Sequence, residues 1–595
     1  MSLTLARRCL VSAALAALIA FPLISNSLYY QNLLILTFVL AIGASGWNIM
    51  GGYAGYISLG NSAFIGLGAY TTGILAAKQQ LSPFIGCLIG GGVCAVAAAV
   101  LSLVTRRTRG MYFVIVTFAT LQLLGVVATT WSGLTGGSQG LALPLPTWSL
   151  SYQTWPIYFP LLALLVLTVA ASILVRRSKL GAGLFAIQDD EDKAAGLGLR
   201  TAVYKMIAFV LGGTFVGIAG GLYAYYVTFL NVPAVFDIVT SVLIVLSTLL
   251  GGRGTIWGPV VGAFIVEPLA DLTSTNLGGA DSGAIRLLLF GGLLGAVVLF
   301  LPRGVLPTLT ERWRRSGPKR SRPSEAAGSP PAPTGRTSAP NSAALELQGV
   351  SKAFGGIQAV DSVSLRVEPG CITGLIGPNG SGKTTLFNLI DGTVPTRSGR
   401  ISVGGRRLDR DGRPGRAHAG LARTYQLPRL FPSLTVLENL VLAEPALSPR
   451  RLVLRRVTEA ERTRAMTVLE DLGLAEFADT SPGELSYGQR KLVELAQVIW
   501  LEPVVVLLDE PAAGISPALS QRLAETVLTL RGRGVGILLV EHNLPFLASL
   551  CERVYVMSNG AVIAEGTVAE VSAERSVVDA YLGDEIALVP KEINA

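Results

Sequence analysis

"GLIGPNGSGKTTLFNLIDG", residues 374–392, sets Gly377, Gly380 and Gly382 ahead of Lys383 and Thr384 in the spacing GxxxxGK[ST]. An apolar, strand-like run "CITGLI" precedes it and a helix-like run "TTLFNLI" follows, so the stretch predicts strand, turn and helix in that order. In such a turn the glycines let backbone N–H groups from Asn379, Gly380, Ser381, Gly382 and Thr385 curl around phosphates, and the helix N-terminus adds its dipole. Lys383 is placed to reach β- and γ-phosphates, and the Thr384 hydroxyl to ligate Mg²⁺. The loop alone leaves many nucleotide-binding proteins open.

Two further stretches narrow the reading. "VVVLLDEP" (504–511) is a buried-strand run ending in Asp509, suited to the Mg²⁺ shell, and Glu510, suited to polarising an attacking water. "LSYGQ" (485–489) opens a helix-like run shortly before it. Ser486 and Gly488 at a helix N-terminus make a second phosphate cradle. An ATPase that sandwiches nucleotide between two copies uses two such cradles, because each copy completes the other's site.

Upstream of these motifs the composition changes. "GPKRSRPSEAAGSPPAPTGRTSAPNSAA" (317–344) has no aromatic or β-branched aliphatic residue and predicts a flexible linker over 311–344. Before it, no Asp or Glu occurs ahead of Asp189, a deficit that no soluble domain of that length would show. The mean hydropathy of +0.53 therefore averages a very apolar half and an ordinary one. Apolar stretches near 10–26, 31–50, 56–77, 81–104, 111–131, 156–175, 204–229, 237–250, 255–272 and 283–302 predict about ten membrane spans. "GYAGYISLGNSAFIGLGAY" (52–70) is Gly-rich enough to be broken or re-entrant.

With Arg7 and Arg8 inside, alternation puts Arg106/Arg107/Arg109, Arg176/Arg177/Lys179, Arg253 and Arg312/Arg314/Arg315 on the cytoplasmic side. The net charge of +9 thus reads as a membrane protein's positive-inside pattern and not as a nucleic-acid surface. Gly213, Gly217 and Gly221 form a double GxxxG, which predicts close helix approach. Glu267 is the only carboxylate well within a candidate span, so no mid-membrane proton or cation site is expected. The five cysteines show no CxxC spacing, hence neither a disulfide framework nor a zinc site.

From about Leu345 the chain resembles the nucleotide-binding domain of an ABC transporter, with its motifs in family order. The resemblance implies an aromatic A-loop at Phe354 stacking on adenine, and a Q-loop at Gln426 in "ARTYQLPRL" that serves metal and catalysis. It also implies a signature at "LSYGQ" and a switch histidine at His542 in "LLVEHN" that contacts the γ-phosphate. More narrowly, 345–595 resembles the G-type ATPase, and 1–310 the M-type permease, of the branched-chain (hydrophobic) amino-acid importers. The permease resemblance rests on "GYAGYISLGNSAFIGLGAY", "RTRGMYFVIVTFA", "LTGGSQGL" and "LLGGRGTIWGPVVGAF". The chain departs from the pattern at Tyr56 and Asn61, where Gln and His are usual, and at Ser516, where Asp or Asn is usual.

The implied architecture is a polytopic helical membrane domain followed by an α/β P-loop (RecA-like) ABC domain with a helical subdomain. The implied function is ATP- and Mg²⁺-dependent import of a small solute, most often branched-chain amino acids, across a bacterial inner membrane, with the ATPase domain cytoplasmic. Urea, short amides or aromatic acids are alternative cargo, and a membrane-anchored ATPase that transports nothing is the alternative of another class. One permease and one ATPase per chain imply partners: a solute-binding protein, and either an H-type permease with an F-type ATPase or a second copy. The acidic run at "AIQDDEDKAAGLGLRTAVYK" (186–205) lies where such importers carry a coupling loop, and would dock beside Gln426.

Overall fold

The computed structural model describes residues 2–25, 27–145, 148, 154–276, 282–301, 303–308, 344–443, 452 and 454–586. The linker expected over 311–344 therefore lies outside the described residues, except for Ala344. The chain forms two compact units that do not follow its linear order. One comprises Met1–Arg177 with Ala202–Ser321, the other Ser178–Thr201 with Arg322–Ala595.

The first unit is helical because apolar backbone in lipid must satisfy its hydrogen bonds within each segment. Its principal helices are α1 (Ser2–Ile24), α2 (Leu28–Trp47), α3 (Asn61–Gln79), α4 (Pro83–Val104), α5 (Met111–Thr130) and α6 (Trp155–Arg177). After the second unit's α7 (Lys179–Gly196) come α8 (Thr201–Val227), α9 (Ile238–Gly251), α10 (Gly258–Asn276) and α11 (Ser282–Phe300). Each of the ten predicted stretches coincides with one of these ten helices. Among the described residues, seven helices are long and apolar enough to cross a membrane.

Helix α2 is central. Ile35, Phe38, Ala41, Ile42, Ala44 and Trp47 are all buried, and α6, α9 and α10 pack around it. Outward-facing Leu88, Val96, Leu123 and Leu167 are exposed apolar side chains, as a lipid-facing surface requires. The GxxxG residues of α8 meet α4: a Cβ on Gly217 would lie 2.5 Å from Cys94 Sγ, and one on Gly221 2.7 Å from Cys87 Cβ. Another glycine, Gly212, brings α8 against α2, where a Cβ would come within 2.6 Å of the Gly46 carbonyl.

The Gly-rich stretch is indeed broken. A π-helical turn, Asn48–Gly52, ends α2, and irregular chain leads to α3 at Asn61. Protein groups satisfy this backbone, as non-helical chain at membrane depth demands. Trp47 Nε1 donates to Ser58 O at 2.8 Å, and Asn48 Nδ2 donates to Thr255 O at 2.8 Å. Asn48 Oδ1 accepts from Gly254 N at 2.9 Å, while Arg253 Nε donates to Gly51 O at 3.1 Å.

The second unit is α/β. Its strands are β1 (Leu345–Phe354), β2 (Ile357–Val367), β3 (Ile372–Ile376), β4 (Ser398–Val403), β5 (Arg406–Arg407), β6 (Leu421–Arg423), β7 (Val505–Asp509), β8 (Gly536–Val540), β9 (Arg553–Ser558) and β10 (Ala561–Gly566). A six-stranded sheet runs β10-β9-β3-β8-β7-β6 and is parallel apart from β10. A four-stranded antiparallel sheet runs β2-β1-β4-β5. Every residue of β3 and β8 is buried, the signature of central parallel strands covered on both faces. Leu375, Leu507 and Leu538 from three adjacent strands share one core with Leu386 and Phe387 of α12 (Lys383–Ile390). Because β8 lies between β3 and β7, the turns after these three strands open side by side at the sheet's carboxyl edge.

Candidate functional site

The turn after β3 carries the glycine-rich loop. Gly377 has φ +151° and a Cβ there would meet the Met557 carbonyl at 2.1 Å, so only glycine fits. Gly382, at φ +99°, caps α12. Lys383 is buried, and its Nζ donates to the carbonyls of Gly377 at 2.7 Å and Pro378 at 2.8 Å. Burial pulls the Lys383 ammonium below its ordinary pKa, against the opposing pull of Glu510 and Asp509. Ser381 is buried, whereas Asn379, Gly380 and Thr384 are exposed and Thr385 is half-buried.

The turn after β7 carries the acidic pair. Burial raises the Asp509 carboxyl, and the neighbouring Arg423 guanidinium opposes it. Arg423 Nη2 lies 3.1 Å from Asp509 Oδ2. Glu510 has φ +48°, a conformation costly for a residue with a Cβ and typical of functional sites. Its Oε2 accepts from Gln426 Nε2 at 2.8 Å, and its Oε1 lies 3.1 Å from His542 Nε2 beyond β8. Two residues far apart in sequence, Gln426 and His542, thus converge on the Glu510 carboxylate.

Ser486 and Gly488 stand at the N-terminus of α16 (Tyr487–Leu501); the helices between are α13 (Arg413–His418), α14 (Val436–Leu442) and α15 (Glu459–Asp471). Ser486 Oγ accepts from Gln489 N at 3.2 Å while Ser486 N donates to Gln489 Oε1 at 2.9 Å, a reciprocal cap. Its polar groups bond within its own helix turn and not to the loop after β3. Phe354 lies exposed at the end of β1 with Lys352 Nζ 5.2 Å over its ring. Ser516 caps the next helix, α17 (Pro517–Gly532), accepting from Leu519 N at 3.4 Å.

Sequence reasoning missed two buried residues that hold this corner. Lys491 Nζ donates to the carbonyls of Glu510 at 3.0 Å, Pro511 at 3.0 Å and Ala513 at 2.8 Å. Glu541 accepts from Ala512 N at 2.7 Å and from His542 N at 3.1 Å. Each sits beside a motif residue, two positions after Gln489 and one before His542, and adjacency was the only available signal.

The segment 178–201 belongs to this unit although apolar helices flank it in sequence. Asp190 leaves helical geometry (φ −156°, ψ 99°) and splits α7, its Oδ1 accepting from Lys193 N at 2.9 Å to start the second turn. The acidic run meets the ATPase-like half residue by residue. Asp189 accepts from Ser433 N at 2.9 Å and Ser433 Oγ at 2.8 Å, and Asp190 lies 3.3 Å from Arg429. Lys193 Nζ pairs with Glu494 Oε1 at 2.9 Å with both side chains buried. Lys179 pairs with Glu461. Tyr425, next to Gln426, lies under Lys193, Arg423 and Arg429, at 5.8, 5.2 and 4.6 Å from its ring centre.

Comparison with known proteins fits this geometry. Residues 29–301 match the branched-chain amino acid transport system permease component, and 360–513 match the ABC transporter family. The ATP-binding protein LivG, named for high-affinity branched-chain amino acid transport, from Salmonella typhimurium is 37% identical over 40% of this chain and 98% of its own length. The chain belongs to the branched-chain amino acid family of ABC transporters. The Escherichia coli LivG is 36% identical over 40% of this chain and 98% of its own length. A crystal structure of a nucleotide-free ATP-binding cassette from an ABC transporter is 34% identical at a TM-score of 0.37, covering 40% of this chain and 99% of that one. In this ABC transporter a permease-type and an ATPase-type domain occupy a single polypeptide.

Proposed function

We propose that the chain is the fused permease–ATPase subunit of a binding-protein-dependent importer of branched-chain and other hydrophobic amino acids. It would be a multi-pass protein of the inner membrane with its second unit in the cytoplasm. The branched-chain amino acid transport for which the relatives are named supports the cargo. The observation that carries the ATPase reading is the convergence of Gln426 and His542 on Glu510 at the carboxyl edge of the sheet.

Each residue has a role in this reading. Backbone N–H groups of Asn379, Gly380, Ser381, Gly382 and Thr385 at the start of α12 receive the phosphates, and Lys383 exchanges its loop carbonyls for β- and γ-phosphate oxygens. Phe354 stacks on adenine. Glu510 orients and polarises the attacking water, while Gln426 and His542 hold that carboxylate in place and read the γ-phosphate. The donor set fits Mg²⁺: the Thr384 hydroxyl, the Asp509 carboxylate and the Gln426 amide oxygen are hard ligands. The ion supplies charge neutralisation at the phosphates. Ser486 and Gly488, turned to their own helix turn, would serve nucleotide held by a second ATPase. That partner is an F-type ATPase accompanied by an H-type permease, or a second copy of this chain.

The test is Glu510→Gln in the assembled transporter. ATP binding should persist while hydrolysis and uptake of labelled leucine into proteoliposomes fall about 100-fold or more. Wild-type turnover in this variant would remove Glu510 from the chemistry. Uptake of urea but not leucine by the native protein would refute the cargo.

A further inference from the structure

We propose that Asp391 is a positioning residue, the shared acceptor through which the nucleotide site communicates with the coupling segment 178–201 independently of Gln426. The proposal rests on the ATPase reading above and adds a route to it. Asp391 stands at the C-terminus of α12, where the helix dipole disfavours a carboxylate, and it is buried. Two guanidiniums offset that cost by converging on one oxygen: Arg423 Nη1 lies 2.6 Å and Arg413 Nη2 3.3 Å from Asp391 Oδ2. The other oxygen accepts from Thr393 N at 2.7 Å and from the Thr393 hydroxyl.

Each arginine also has a second carboxylate. Arg423 reaches Asp509 Oδ2 at 3.1 Å. Arg413 donates to the Asp192 carbonyl at 2.8 Å and lies 3.5 Å from its carboxylate. The order is therefore Asp509, Arg423, Asp391, Arg413, Asp192, with alternating charge from the strand end of β7 to the coupling segment. Three carboxylates share two cations, so any change in one pair must be redistributed along the row. Were Asp509 drawn to a bound Mg²⁺, Arg423 would have more of its charge for Asp391. Asp391 would then hold Arg413 less, and Arg413 would fall to Asp192. Arg413 Nε and Arg423 Nε are buried N–H donors with no acceptor among the described residues, so neither guanidinium is fully satisfied where it lies. Lys193 and Glu494 form a buried pair outside this row, a second contact that holds the segment to α16.

The experiment is amide hydrogen exchange over 178–201 in the full-length, assembled transporter, with and without saturating MgATP, in a Glu510→Gln background. ATP should change protection there in the parent protein. Asp391→Asn and Arg413→Met should each reduce that ATP-dependent change about fivefold or more, the lower end of ordinary coupling between sites. ATP binding should persist in Arg413→Met, whose guanidinium pairs with Asp391 and Asp192 and not with Asp509 among the described residues. Arg413→Lys should restore part of the response. Lys193→Met should lower protection equally with and without ATP. A parent-sized ATP response in both Asp391→Asn and Arg413→Met overturns the relay. If Asp391→Asn fails to bind ATP, Arg413→Met alone decides. If the parent binds ATP but shows no response at 178–201, the coupling reading fails and the relay with it; if it binds no ATP, the ATPase reading itself fails.

Discussion

Lys193→Met should loosen segment 178–201 far more than removal of any exposed charge. The Nζ–Oε1 distance to Glu494 is 2.9 Å, and the two side chains are 2% and 3% exposed. Without the ammonium, the hydrogen bonds left to Glu494 among the described residues are two long ones, from Tyr425 N and Arg429 N at 3.4 Å each, with the Lys491 ammonium as the cation that still acts on it. A buried carboxylate left in that state costs about 3–5 kcal/mol. Each 1.4 kcal/mol is about tenfold in an equilibrium, so local opening of 178–201 should rise by roughly two to nearly four orders of magnitude. The rise is capped where the segment exchanges like free chain. The double change Lys193→Met with Glu494→Met should return most of the loss, because a buried pair replaced whole by apolar side chains is often close to neutral. Exchange at 178–201 in the single variant within about threefold of the parent, roughly 0.7 kcal/mol, would refute the argument that this pair is dry and uncompensated.

Two further outcomes follow from other sites. Gly217→Val should cost about 1–3 kcal/mol or more by driving a side chain into Cys94 of α4, seen as loss of monodisperse protein on size-exclusion after extraction, whereas Val at Gly92, with nothing within 4 Å, should be tolerated. Asp189→Asn should preserve or tighten docking. Burial raises the Asp189 carboxyl, outweighing its Ser433 hydrogen bonds, so docking costs the charged form more than the neutral one. The charged form therefore weakens docking as pH rises through that raised pKa, above the ordinary carboxylate value near 3.9, and exchange at 178–201 should lose this pH dependence in the Asn variant.

The motif residues were legible because phosphate chemistry fixes residue type and spacing together. Gly377 through Thr384, Asp509, Glu510 and His542 emerge at adjacent strand ends because each follows a run of buried aliphatics that can only be a central strand. The Gly-rich break before Asn61 was legible for a similar reason, since so many glycines weaken a continuous helix. What pins that break was not: Asn48 and Thr255 stand 207 residues apart. The same holds for Lys193 and Glu494, separated by 301 positions, each of which reads alone as an ordinary solvent-facing charge. Asp391 and Arg413 sit among residues whose sequence suggests only a turn, and their pairing is a consequence of tertiary packing. Periodicity and composition report a residue's exposure on average, and not which distant partner cancels its charge.

The grouping of Ser178–Thr201 with Arg322–Ala595 also bears on how such a subunit can be recombined. A gene-level exchange at the linker would give the permease a foreign ATPase but would leave Asp189, Asp190, Asp192 and Lys193 behind with the permease. The incoming ATPase would then have to present equivalents of Ser433, Arg429, Arg413 and Glu494 at the right places. The unit of inheritance that preserves docking is therefore discontinuous in the gene. A working chimera requires the short segment from the first half to travel with the ATPase it was matched to.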